Sequence, residues 1–379
     1  MVDVISPEKF FGYHMGEAKK LARWDELVEY YYKLGEESPR VKTLEMGRST
    51  EDNPLLLVII TSSENHKNLK EIQMIGPTLA YREDLPEEEL DVLIEKGKAV
   101  ISMGMSIHAS EVGGTQMAPE LAYELASGDD PETRRILEET VLLLVPCVNP
   151  DGNIMVVDWY KEWLGTEYEG CGLPWLYHAY TGHDNNRDLV MMNIPESRHM
   201  AQMLFKGWFP LAYIDYHHYG SFGGRYYIPP FANPTDPNVD PLIWAEMQLY
   251  GSAMLAHLEQ QGKTGVENYA GFTAEFNSAY TRVCTWHGIT GMLTESASAK
   301  LATPKYIHYH QLNSTRGRPE YRAHVNFPHP WMGGWWTLRD IVEQQKISAL
   351  AALDMAAKYR EVLLRNLRLK GVRAQVDKT

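Results

Sequence analysis

Five apolar runs set the limits on what this chain can fold into. They are "PLLLVIITS" (54–62), "KAVISMGMSIH" (98–108), "VLLLVPCVNP" (141–150), "PLAYIDYHH" (210–218) and "GITGMLTES" (288–296). The first four are so continuously apolar that they suit strands covered on both faces, and the fifth is a strand ending at Glu295. Between them lie segments with helical spacing: "WDELVEYYYKLGEES" (24–38), the stretch after Gly113-Gly114, "PETRRILEET" (131–140), "PESRHMAQMLFKGW" (195–208) and 241–261. The third run is closed by a turn, Asn149-Pro150-Asp151-Gly152. A helical lead-in spans about 1–45 and one long closing helix about 338–367. Buried strands alternating with helices predict an α/β protein, a single three-layer α/β/α domain over 1–379 with a central mixed, largely parallel twisted sheet. No internal repeat, low-complexity stretch or linker divides the chain, and 379 residues suffice for a large core.

Composition removes several classes of function. A hydrophobic fraction of 44% with 23% charged residues is that of a globular protein, and no apolar run reaches the ~18 residues of a membrane helix. A net charge of −14 argues against nucleic-acid partners, which need a basic face. Cys147, Cys171 and Cys284 are widely spaced and odd in number, so they read as buried thiols rather than a disulfide framework or a cysteine metal knot.

The chemistry concentrates where the strands end. In "GMSIHASEVGG" the second run stops at His108, and Glu111 follows three residues later. A strand end meeting water is polar for no further reason, and a lone H-x-x-E is weak. The sharper reading is a metal, because a catalytic zinc takes three protein ligands and leaves one position open. His108 and Glu111 supply two, and "YIDYHHYG" offers His217 or His218 as the third. Adjacent strand residues face opposite ways, so only one of this pair can reach the ion.

With these residues in view the chain resembles the zinc metallocarboxypeptidases of the carboxypeptidase A type. The resemblance rests on five elements in order: His108-x-x-Glu111, the Asn149–Gly152 stretch, "DNNRD" (184–188), "DYHHYG" (215–220) and "LTES" (293–296). The flanking "PWLYHAYTGHDNNRD" and "PWMGGWWTLRDIV" resemble a bacterial branch of that family. The resemblance implies one Zn2+ held by His108, Glu111 and His217, with His218 in a neighbouring position that is not a ligand. It implies Glu295 as the carboxylate that activates water, Asn186 and Arg187 as the grip on the substrate's terminal carboxylate, and Asp184 as the aspartate that orients a histidine ligand. The implied substrate is a peptide with a free C-terminal carboxylate, with no nucleic-acid or membrane partner. A planar guanidinium suits that carboxylate, and a carboxylate base suits proton transfer from water to the leaving amine.

The alternatives are a zinc amidohydrolase acting on small N-acyl amino acids and a pseudoenzyme that only binds peptide ends. A serine hydrolase is disfavoured by the absence of a G-x-S-x-G elbow. The chain also departs from the family pattern. Residues 153–185 contain no arginine to stabilise the developing oxyanion, and Lys161, the one basic side chain there apart from histidine, reads better as an exposed helix residue. Tyr269 and Tyr280 compete for the role of the tyrosine that closes over substrate. Arg282, upstream of Glu295, is either a positive pocket floor or half of a salt bridge. His308 and His310 lack a third ligand, and Trp331, Trp335 and Trp336 line either a cleft or the core. The N-terminus lacks a signal's basic and apolar regions; the resemblance implies a secreted or periplasmic chain with its signal removed, and a cytoplasmic chain is the other reading.

Overall fold

Strands without a polar face need cover on both sides, and that need organises the molecule. The computed structural model describes residues 4–179, 181, 184–276 and 278–376. Its strands are β1 (Val41–Arg48), β2 (Pro54–Ile60), β3 (Ala99–Met105), β4 (Thr140–Val145), β5 (Ala212–Tyr219), β6 (Tyr226–Tyr227), β7 (Val266–Glu267) and β8 (Thr290–Ala297). They form one eight-stranded, mostly parallel sheet flanked by helices, in the order β1-β2-β4-β3-β5-β8-β6-β7. The pairs β4–β3, β3–β5, β5–β8 and β6–β7 are parallel, whereas β1–β2, β2–β4 and β6–β8 are antiparallel. One continuous cluster of buried apolar side chains extends from Val4 to Leu367.

Three boundaries differ from the sequence reading. The lead-in is helical at Pro7–Phe11 and Trp24–Glu37, but β1 begins at Val41. That strand lies at the sheet edge with most residues partly exposed, so it carries no apolar run to announce it. The closing helix is two helices, Leu338–Lys358 and Arg360–Val376, separated at Tyr359. The first packs on the helices Pro241–Gln260 and Gly113–Ser127, the second on the helix Leu69–Tyr81, so the chain turns from one surface to another without a Gly or Pro to mark the bend. Asn149 to Gly152 is not a free turn but the start of the helix Pro150–Trp163. Asn-Pro reads equally as a turn and as a helix cap followed by its first residue, and here Asn149 accepts the Gly152 N–H at 2.9 Å.

β3, β5 and β8 are adjacent and parallel, so their carboxyl ends open on one edge of the sheet. Ligand sites of α/β sheets gather at such ends.

Candidate active site

Past β3 the chain must turn sharply, and Ser106 adopts a left-handed conformation (φ 49°). Its hydroxyl donates to the Glu111 carbonyl (2.8 Å), and the Glu111 N–H donates to the His108 carbonyl (3.0 Å). Asn149 and Asn185 both donate side-chain N–H groups to the Ile107 carbonyl, at 3.2 and 2.8 Å. The loop carrying His108 and Glu111 is thus held from both sides by neighbouring segments.

His217 comes from β5. Its Nδ1 lies 2.8 Å from Glu111 Oε2, and His108 Nδ1 lies 2.9 Å from Glu111 Oε1. The far nitrogens meet carboxylates: His108 Nε2 is 2.7 Å from Asp184 Oδ1, and His217 Nε2 is 2.8 Å from Asp215 Oδ2. The carboxylates behind the rings favour the tautomer in which each Nε2–H donates outward, although Asn186 Nδ2 also lies 3.0 Å from His217 Nε2. Both Nδ1 lone pairs then face the two Glu111 oxygens. Acceptors converging without a donor call for a cation, and three such side chains with their atoms within 4.8 Å of one another could hold a metal ion. The electrostatics show how strongly this cluster favours positive charge. Burial opposes charge on His108, yet Glu111 and Asp184 raise it to about 9. Burial likewise opposes charge on His217, but Asp215 and Glu111 hold it well above the usual range. For Glu111, burial acts upward and the two imidazoles outweigh it, keeping the carboxyl far below normal.

His218, one residue on, goes the other way. It is buried against the start of the helix Gly113–Ser127, where its Nε2 accepts the Gly113 N–H at 3.1 Å. A Cβ at position 113 would overlap that ring, so the glycine permits the approach. Burial lowers His218 to about 4, a neutral acceptor rather than a cation.

Glu295 reaches the same place through sheet register, since it pairs directly with His217 across β5 and β8. Its Oε2 is buried with no hydrogen-bond partner, and burial, with Glu111 adding to it, lifts the carboxyl to about 8 against the pull of His217 and His108. His108, His217, Glu295, Asn186, Arg187 and Arg282 line one cavity of about 240 Å³. Asp184 caps the short turn Asn185–Arg187 through the Asn186 N–H (2.8 Å) and pairs with Arg187 Nη2 (3.0 Å). Arg187 also donates to the Asn186 carbonyl (2.8 Å) and stacks on Phe276, with 4.7 Å to the ring centroid. The Asn186 side chain accepts the Tyr280 N–H (2.9 Å) and lies 3.4 Å from Asp215 Oδ2. Asn186 therefore ties the cavity wall to the carboxylate behind His217.

Sequence reasoning missed Asp215. Its signal was present in "DYH", because residues two apart on a strand share a face. The remaining candidates lie elsewhere. Lys161 is exposed on its helix and does not line the cavity. Neither tyrosine lines it: the Tyr280 hydroxyl is buried against Ser197 Oγ (2.6 Å), and Tyr269 is exposed. Trp331 and Trp336 pack over Arg225, and Trp335 is exposed. His308 and His310 stack with 5.4 Å between ring centroids, and among the described residues neither belongs to a metal-binding group. No described helix is long and apolar enough to cross a membrane, and the three cysteines are free, with Cys147 and Cys284 buried.

The sequence profile of the zinc carboxypeptidase family matches residues 27–298, and the chain belongs to that family. Its fold is similar to a metallo-carboxypeptidase from Burkholderia cenocepacia, with a TM-score of 0.53 at 14% identity over 89% of this chain and 68% of the other. A metallo-carboxypeptidase from Pseudomonas aeruginosa, solved with (2-guanidinoethylmercapto)succinic acid, gives 0.54 at 14% identity over 89% and 69%. Carboxypeptidase A from Helicoverpa armigera gives 0.50 at 16% identity over 93% and 74%. No curated protein matches the sequence significantly.

Proposed function

We propose that this protein is a zinc-dependent metallocarboxypeptidase, one catalytic domain that removes the C-terminal residue of a peptide. The observation that carries this reading is the convergence of both Nδ1 atoms and the Glu111 carboxylate beside a cavity that also holds Glu295 and Arg187. His108, Glu111 and His217 would hold one Zn2+, oriented by Asp184 and Asp215. Zinc, when bound, supplies a Lewis acid that acidifies water and polarises the scissile carbonyl.

The other roles belong to the chain. Glu295, ionised once a cation beside it offsets the burial that raises its carboxyl, takes the proton of the attacking water and returns it to the leaving amine. Arg187 meets the terminal carboxylate. Two of its N–H groups are spent on Asp184 and the Asn186 carbonyl, which fix the guanidinium plane and leave other donors for substrate. Asn186 keeps this wall in register with His217.

The test compares a peptide acid with its C-terminal amide, in wild type and Arg187→Ala. Amidation removes the charge and puts a donor where an acceptor was, so wild type should prefer the acid by ~10³-fold or more in kcat/KM. Arg187→Ala should weaken the acid strongly and the amide little. Equal cleavage of both peptides by wild type would replace the exopeptidase reading with the amidohydrolase or an endopeptidase. Zinc content without turnover of any peptide would indicate a binding protein.

A further inference from the structure

The cavity contains a second guanidinium that the proposed chemistry leaves unused. Arg282 lies on the helix Tyr280–Trp286 and is 1% exposed. Its neighbours along the cavity include Thr273, Leu293 and Phe231. The guanidinium packs 4.4 Å from the Phe231 ring centroid and 5.5 Å from that of Trp244. One hydrogen bond is weak, Nη2 to the Thr273 carbonyl at 3.3 Å, and Nη1 is buried with no partner. No carboxylate among the described residues forms an ion pair with it. Asp236 is near enough to be felt, but its oxygens already accept from Trp286 Nε1 (3.1 Å) and the Asn238 N–H (2.9 Å).

Other buried arginines of this molecule show what a structural one looks like. Arg318, equally buried, donates to Glu267 at 2.6 Å and to the Asn313 carbonyl at 3.1 Å. Arg225 is stacked on two tryptophans and donates to two carbonyls. Its Nε and Nη1, like Arg318 Nη1, are also buried without a partner, so what sets Arg282 apart is that neither of these two lines the cavity and it does. Arg282 combines burial, a missing counter-charge and a place in the wall of the candidate active site. Burial pulls it down to about 10, which leaves it cationic at neutral pH. A buried cation with an orphaned donor is costly unless something supplies the anion.

We propose that the cavity accepts an acidic C-terminal side chain, glutamate or aspartate, and that Arg282 is the residue that selects it. The proposal rests on the carboxypeptidase reading and deepens it. Arg187 receives the main-chain carboxylate, Arg282 receives the side-chain carboxylate, and the apolar walls beside Leu293 and Phe231 take the intervening methylenes. Glutamine matches glutamate in shape but lacks the charge, so it would leave Arg282 uncompensated.

Three N-acylated peptides ending in Glu, Gln and Leu test the idea with wild type, Arg282→Met and Arg282→Lys. Methionine keeps an apolar stem as far as the Nε position while removing a buried charge, so that variant should fold. Wild type should prefer Glu over Gln by ~10²-fold or more in kcat/KM. Arg282→Met should abolish that ratio and favour Leu, and Arg282→Lys should keep part of the preference because it keeps the charge without the fork. Wild type cleaving the Leu peptide as well as the Glu peptide would overturn the proposal, as would a Glu preference that survives in Arg282→Met.

Calorimetry with free L-glutamate, L-glutamine and L-leucine separates this inference from the hydrolytic reading. If no peptide is cleaved but glutamate binds best and Arg282→Met removes the difference, the specificity stands and the peptidase reading falls. Equal binding of the three amino acids would overturn the specificity.

Discussion

The floor and the wall of the cavity treat polar atoms in opposite ways. On the floor, His108 and His217 each have the outward nitrogen committed to a buried or half-buried aspartate, and their inward nitrogens close on Glu111. On the wall, Glu295 Oε2 and Arg282 Nη1 are buried with no partner at all. Buried polar groups in folded proteins are nearly always hydrogen-bonded, and each exception needs a reason. On the proposed function the floor is saturated because its task would be to hold ligand atoms still. The wall is left short because the partners of Glu295 and Arg282 would arrive with substrate and water.

The largest effect should come from breaking the floor. Alanine at His108, Glu111 or His217 removes one of three ligands, and bound zinc measured by atomic absorption should fall to background. His218→Ala should keep most of the metal, since that ring sits on the other face of β5 and serves the start of the helix Gly113–Ser127. Loss of zinc in His218→Ala with retention in His217→Ala would exchange the two faces and dismantle the floor as drawn.

The wall comes next. Glu295→Gln keeps the shape but removes the base, so zinc should remain and kcat should drop by at least ~10²-fold. Near-normal turnover in that variant would mean that the orphaned oxygen has no part in proton transfer, and the contrast between wall and floor would lose its meaning.

How much of this was legible in the sequence follows the same physical division. The five apolar runs became β2, β3, β4, β5 and β8, because strands buried on both faces write their burial into every residue. β1 was invisible, since an exposed edge strand needs no apolar run, and β6 and β7, at two residues each, are too short to carry a period. His108, Glu111, His217 and Glu295 lie at apolar run ends, Asn186 and Arg187 came from the family resemblance through "DNNRD", and the fold gathers all six in one place. What sequence could not show was partnership. Nothing local in "YTRVCTW" says that Arg282 lacks a counter-ion, since Asp236 is 46 positions away in the chain and is taken up by Trp286 and Asn238. Asp215 was readable from its spacing to His217 but was passed over as part of an apolar strand.

The smallest expected effect sharpens the comparison most, because it contrasts the two aspartates behind the histidines. Asp215 is fully buried in β5 and accepts from His217, from the Tyr213 hydroxyl (3.2 Å) and from Asn186 Nδ2 (3.4 Å), so it reaches the wall only through Asn186 and does not touch Arg187. Asp184 holds His108 with one oxygen and Arg187 with the other, so it joins floor to wall. Replacing either by asparagine keeps an oxygen for the imidazole N–H but removes the charge that makes the ring a better ligand. Zinc affinity should weaken by about 10- to 100-fold in both variants, the usual effect of losing such an outer partner. Preference for a peptide acid over its amide should divide them: Asp215→Asn should leave that ratio near the wild-type value once zinc is saturating, whereas Asp184→Asn frees the Arg187 guanidinium and should change it several-fold. Competition for zinc against a chelator, followed by the acid-to-amide kcat/KM ratio at saturating metal, measures both. Identical behaviour of the two variants would show that Arg187 does not depend on Asp184, and that floor and wall are built independently.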